Sequence, residues 1–333
     1  MTSRGIAFCS AVERAVFSAA DAPSSAELFV AADALDADDM RAIGGVLAER
    51  LAAGDAFAIT WPLLANAHED TFANLARVAR RRLAELGRDD QAEQVLEDLA
   101  WQGPDLVPSA TQEAARRPSP APIHLVPPPG HIKVRHGVPT PTWLGRRGGR
   151  IGAARVGGHG RARCARCAEL LHRLVHLPIV PPALGVSLPS MSIETCLSCL
   201  GWEEQELWFR HRGVDVEPLD PAEATPNPPE FPTGPLAACD VELVDFGPRF
   251  ARQDWGNSNG FHNLNRFGGA PSWVQDAQDL DCRGCGAPMM HLLQLDSCFP
   301  LEDGNDFLFG SGGLAYVQWC DACHISAHFW QCT

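Results

Sequence analysis

CARC at residues 164–167, CLSC at 196–199, CRGC at 282–285 and CDAC at 320–323 place eight of the chain's 12 cysteines in four identical spacings. A CxxC turn puts two sulfurs on one side of an ion, so two such knuckles complete the four-thiolate tetrahedron that zinc(II) prefers. Sequence order groups them as Cys164, Cys167, Cys196 and Cys199, then Cys282, Cys285, Cys320 and Cys323, with 29 and 35 residues from one knuckle to the next. These intervals suit a strand pair between knuckles. A shell closed by four thiolates has no position open to water, so both zinc ions are expected to be structural.

Other readings of the same cysteines are weaker. CDACH (320–324) carries the c-type haem attachment pattern, which leaves Cys282 and Cys285 without a role. A thioredoxin-like CxxC does not account for four pairs in two matched sets. His172 and His291 recur after the first knuckle of each set and stand as alternative ligands or as residues supporting the shell. Cys9, Cys239, Cys298 and Cys332 are scattered and read as buried free thiols.

Outward from the cysteines, the chain repeats itself. PTW (141–143), a loop, CARC and LLHRLVHL are matched by PSW (271–273), a loop, CRGC and MMHLLQL. Each half then reaches a strand-like run, the second knuckle and another strand-like run: MSIET, CLSC and LWFRH, then LAYVQW, CDAC and ISAHFW. Internal duplication explains this order. Short runs rich in β-branched and aromatic residues, bounded by glycine and proline, predict strands. Residues 131–333 are therefore expected to form a duplicated, pseudo-symmetric β-rich domain, with lobes at about 131–217 and 236–333.

The flanking sequence has a different character. Over 1–107 the spacing predicts short amphipathic helices: a capping box at Ser24 and Glu27, an apolar face of Met40, Ile43, Val46, Leu47 and Leu51, and another of Phe72, Leu75, Ala79, Leu83 and Leu86. The expected class is α+β, with a small helical domain first. Eight prolines between 104 and 129 mark a stiff linker over 108–130, the Gly/Arg-rich stretch 145–163 reads as a loop, and a second proline-rich segment spans 218–235.

Charge narrows the partners. The net −14 divides into 9 Lys/Arg against 18 Asp/Glu in 1–110, 12 against 2 in 111–173, and 6 against 21 in 174–333. Acidic bodies disfavour nucleic acid, whose phosphates require a basic face. The basic segment either contacts phosphate or folds back on its acidic neighbours. No apolar run is long enough to span a membrane and no long h-region follows the start, so a cytoplasmic protein is expected.

RFGGAPSWVQ (266–275), then CRGCGAPMMHLLQLDS (282–297), resembles the YwqG-like family and its relative, programmed cell death protein 2. The matching positions are Gly268, Gly269, Pro271, Trp273, Cys282, Cys285, Met290, Leu293, Gln294 and Leu295. FGSGGLAYVQWCDAC (309–323) is similar to that family's glycine-containing strand entry. The likeness covers about 131–333 and lacks the paired glycines in HGVPTPTW (136–143). It implies a duplicated β-rich domain without a known catalytic centre, whose relatives hold a newly made ribosomal protein or act as immunity factors.

No Walker loop, GxSxG elbow, HExxH or dinucleotide fingerprint occurs. The expectation is a non-enzymatic, zinc-stabilised protein-binding module for a basic protein client, with Trp143 and Trp273 as candidate anchors or as covers of the core. The alternatives are a zinc-ribbon-like nucleic-acid reader using 111–173, and an enzyme of uncharacterised kind.

Overall fold

The computed structural model describes residues 6–7, 39, 122–128, 130–132, 149–200, 206–220, 227–229, 231–245, 265–269, 271, 273–275, 277–297 and 299–332. Two compact units divide the chain: one of Met1–Arg116, Pro141–Trp143 and Pro248–Phe250, the other of the remaining residues. Of the first unit, residues 6–7 and 39 are described, and they are helical. The helical faces and the capping box expected in 1–107 otherwise lie outside the described residues, as does Trp143.

The second unit is built from strands. They are β1 (Ile123–Val126), β2 (Gly149–Val156), β3 (His159–Arg163), β4 (Leu170–Leu177), β5 (Met191–Thr195), β6 (Leu207–Arg212), β7 (Asp215–Pro218), β8 (Cys239–Asp245), β9 (Arg266–Phe267), β10 (Met290–Asp296), β11 (Leu314–Cys320) and β12 (Ile325–Gln331). One α-helical turn, α1 (Leu197–Leu200), joins them. The α+β expectation is thereby corrected. Among the described residues strand outweighs helix by 47% to 6%, and no N-terminal helical domain is shown. The helical expectation rests on the periodicity of 1–107, of which only residues 6–7 and 39 are described, whereas the regular structure described in the cysteine-bearing unit is mostly strand.

All twelve strands belong to one sheet, in the order β3-β4-β2-β8-β1-β9-β10-β11-β12-β6-β7, with β5 on β4. Its two ends come together, Arg161 of β3 lying 3.6 Å from Asp215 of β7, and the sheet curls into a nearly closed barrel. Closure removes the open edges that would otherwise invite pairing with other chains. Inside lies one apolar core that includes Leu125, Leu174, Leu243, Phe267, Leu293, Val317 and Trp319. The two halves share it: β2 pairs β8, and β6 pairs β12.

Two segments read as connectors are strands. IHLV (123–126), within the proline-rich linker, is β1 and sits between β8 and β9. The Gly/Arg-rich 145–163 contains β2 and β3, which lie end to end along β4. They are interrupted by Gly157 and Gly158 at φ 79° and 87°. A Cβ on Gly157 would sit 2.5 Å from the Ala237 carbonyl oxygen, so only glycine fits this kink. Composition misled because only Ala154 and Val156 of β2 are buried; backbone pairing, not side chains, makes this strand.

Strands β10, β11 and β12 are buried on both faces. One face fills the barrel. The other is covered by Trp273, Val274 and Leu280, in a stretch fastened to polar side chains that alternate along the strands. The Val274 amide donates to Gln331 Oε1 (3.1 Å) and the Leu280 amide to Gln318 Oε1 (2.9 Å), while Gln318 Nε2 donates to the Gln278 carbonyl (2.6 Å). Buried amide groups are thus satisfied, which makes the second layer tolerable.

Candidate metal centres

Each cysteine quartet is assembled by a hairpin. In the first, the Cys164 amide donates to the Glu169 carbonyl (2.8 Å) and the Ala168 amide to the Cys164 carbonyl (3.0 Å), folding CARC into a tight turn ahead of β4. CRGC repeats it: Cys282 donates to Ala287 (2.8 Å) and Gly286 to Cys282 (2.8 Å), while the Gly284 amide donates to Cys282 Sγ (3.3 Å). The fifth residue past each turn's second cysteine then meets the residue just before the next knuckle. His172 faces Thr195, and Met290 faces Trp319. The unequal intervals are absorbed at the far ends of the hairpins, away from the sulfurs.

The register corrects one sequence pairing. His172 and His291 looked equivalent, but the structural counterpart of His172 is Met290.

The sulfurs converge as a metal requires. Cys164 and Cys199 Sγ are 3.8 Å apart, Cys167 and Cys196 3.6 Å, and Cys285 and Cys320 3.6 Å. A tetrahedron with 2.3 Å metal–sulfur bonds has edges of about 3.8 Å. All eight cysteines are free thiols, and the four sulfurs within each quartet lie within 4.8 Å of one another. The predicted partition Cys164, Cys167, Cys196, Cys199 and Cys282, Cys285, Cys320, Cys323 is the observed one, and each quartet fits a metal ion.

By themselves the sulfurs compete for charge. Hydrogen bonds from Cys196 and Cys199 draw Cys164 down to about 2, and Cys164 in turn pushes both partners up. At the second quartet burial pushes Cys320 up to about 12, while the Ala287 backbone lowers Cys285. A bound dication would relieve this competition by stabilising four thiolates at once.

The two quartets differ in surroundings. Cys164, Cys167, Cys196 and Cys199 are all buried and belong to the main core. Cys282 and Cys320 are buried in a small satellite cluster with Trp208, Met289 and Ile325, while Cys285 is exposed and Cys323 half-buried. The second knuckles differ too. CLSC winds into α1, its Leu200 amide donating to the Cys196 carbonyl (2.8 Å), whereas CDAC is the turn of the β11–β12 hairpin, pairing Cys320 with Ile325. His324 there stands at φ 51° and Ala168 at φ 62°, where Gly286 supplies φ 71° at the same position of its own knuckle.

Neither histidine joins a quartet. His172 Nδ1 accepts from the Leu197 amide (3.0 Å), steadying the turn that carries Cys196 and Cys199. Burial lowers His172 to about 4, so the ring is neutral and suited to accepting. His291 faces the other side of β10, near Tyr316, and burial followed by the Arg266 charge lowers it to about 3. Trp273 is half-buried and packs on Tyr316 (4.8 Å) and Phe329 (6.1 Å) as part of the cover over β11 and β12.

Sequence reading missed what the residues inside each CxxC do. Arg166 accepts the Asn227 amide (3.2 Å) on its carbonyl, and Ser198 Oγ accepts the Thr233 amide (2.9 Å). Arg283 pairs with Asp220 (2.7 Å) and lies 4.5 Å over the Trp208 ring, while Asp321 accepts the Ser187 amide (2.8 Å). Every knuckle therefore holds another segment as well as its sulfurs; three polar side chains that zinc does not need were the available signal. Also missed was a chain inside the barrel, His211 to Ser326 (2.7 Å) to His328 (2.8 Å). Burial lowers His211 to about 4 and holds His328 well below the ordinary imidazole value.

Comparison with protein-family models, with curated proteins and with solved structures found no match for this chain.

Proposed function

We propose that this is a non-catalytic protein-binding module, stabilised by two zinc ions, that holds a basic protein client. Zinc is the favoured metal because eight cysteines offer two all-thiolate tetrahedra with no oxygen or imidazole in the shell. With every position taken by sulfur, such ions serve folding and leave function to the surface.

The observation carrying the client's charge is the use made of the basic stretch. Arg150 lies 3.3 Å from Glu242, Arg155 3.4 Å from Asp240 and Arg161 3.6 Å from Asp215. These exposed pairs add little stability, but they neutralise the groups a nucleic-acid backbone would need. What remains is a strongly acidic molecule, net −14, which steers basic partners toward itself. The chaperone and immunity roles implied by the YwqG-like resemblance are two forms of this activity.

Metal analysis of the purified chain is expected to give two zinc ions; fewer would remove the scaffold from the proposal. Affinity capture at ~0.15 M ionic strength is expected to retain a basic protein that higher salt releases. Recovery of no basic protein, or retention of nucleic acid that survives neutralising the 111–173 arginines, would argue against it.

A further inference from the structure

The second proline-rich segment, 218–235, is fastened to the knuckles at three described points. Asp220 is held by Arg283, Asn227 by Arg166, and Thr233 by Ser198. The last fastening fixes one wall of an open groove of about 260 Å³, formed by Phe231, Pro232, Thr233 and Gly234. Leu301, Asp303, Phe307 and Leu308 stand opposite. The walls are joined at their base, the Ala237 amide donating to the Pro300 carbonyl (2.7 Å) and the Glu302 amide to Pro235 (3.1 Å).

Phe307 is buried, while Phe231 and Leu308 are 46% and 45% exposed across the groove from one another. The volume falls below the ~300–1,000 Å³ of small-molecule sites and suits one or two side chains. Asp303 puts a carboxylate at the lip, with Glu302 and Asp306 exposed nearby in sequence, and Asp303 is fixed by Asn305, whose amide (2.9 Å) and Nδ2 (3.0 Å) both donate to it. Neither 231–236 nor 301–310 contains a lysine, arginine or histidine.

We infer that this groove docks an extended polypeptide segment bearing a large apolar side chain next to a lysine or arginine. The inference rests on the protein-binding reading above and assigns it a surface. The apolar floor takes the side chain, and the carboxylate at the lip takes the neighbouring cation. A second copy of this chain is disfavoured because the acidic lip would meet an equally acidic body.

The test uses the metal-loaded full chain and a fluorescein-labelled peptide, Gly-Lys-Leu-Pro-Phe-Lys-Gly, with a control in which both lysines are glutamates. Saturable binding is expected with a Kd of about 10–100 µM, at least about fivefold tighter than the control. Leu308→Ser should weaken it about tenfold. Asp303→Asn should weaken it about threefold and flatten its salt dependence. Both replaced side chains are exposed, so the fold is retained and a circular dichroism spectrum checks it. Equal affinity for the two peptides, or an unchanged Leu308→Ser variant, would overturn the assignment. A concentration-dependent dimer abolished by Leu308→Ser would also overturn it, giving the groove to a second copy. Client capture that survives Leu308→Ser discards the groove but leaves the protein-binding reading; loss of client and peptide binding in the unaltered chain discards both.

Discussion

The two cysteine quartets share one hairpin register and nearly equal sulfur spacings, yet one is embedded in the barrel's main core and the other sits at its rim. A metal's contribution to folding depends on what its ligands hold together. At the first quartet the sulfurs belong to side chains that pack with Leu171, Ile193 and Leu197, so ion and core form or fail together. At the second, one ligand is exposed and another half-buried, and the cluster behind them is small.

The most direct way to break this contrast is to remove one ligand from each. Cys196→Ser should unfold the chain, since a structural zinc held there would contribute roughly 10–16 kcal/mol and its ligands pack in the core. Cys285→Ser should leave a folded barrel with one ion, losing about 2–4 kcal/mol. Urea unfolding and metal content measure both, and equal losses would erase the distinction.

Release kinetics should sharpen it. A chromogenic chelator is expected to remove the rim ion at least about a hundredfold faster than the core ion, whose exit needs local unfolding. A single phase for both ions would contradict this. After release, Cys285 should be the first thiol alkylated.

Acid acts on the core side. His172 and His211 are held to about 4 by burial, below the unfolded ~6.5, so each contributes fully above that value and loses its contribution as pH falls. By pH 5 the loss is about 2 kcal/mol for each. Urea titrations at pH 7.5, 6 and 5 would measure it, and His211→Phe should flatten the profile by about that amount. A slope untouched by that change would remove His211 from the account.

Smaller effects concern the knuckles themselves. Arg283→Ala should cost about 1 kcal/mol and speed rim release while leaving the core ion's rate unchanged. Ala168→Gly should stabilise by about 0.5–1 kcal/mol, because a left-handed residue with a Cβ carries that strain. Thermal melts resolve both.

The cysteine quartets were legible because four-thiolate metal coordination demands one residue type at a recurring spacing, and four CxxC pairs at matched intervals display both. The hairpins carrying them were legible for a related reason: LLHRLVHL, MSIET, MMHLLQL, LAYVQW and ISAHFW are dense in strand-forming residues. Strands held by backbone pairing left no such trace. β1 is four residues among prolines, and β2 with β3 is glycine and arginine. The rim's exposure was equally invisible, since it depends on what the barrel leaves uncovered. The near-match of His172 with His291 was one residue from the true counterpart, and one residue along a strand is the opposite face.

The cross-pairing of the halves bears on synthesis. Beyond its hairpin partner β7, β6 pairs with β12, and β2 is flanked by β4 and β8. The first four cysteines leave the ribosome well before either later strand exists, so a metal held by them would cross-link the nascent first half before those partners arrive. Metal supply during translation therefore sets how long the unpaired edges of β2 and β6 wait in the open, and with that the exposure of the growing chain to aggregation.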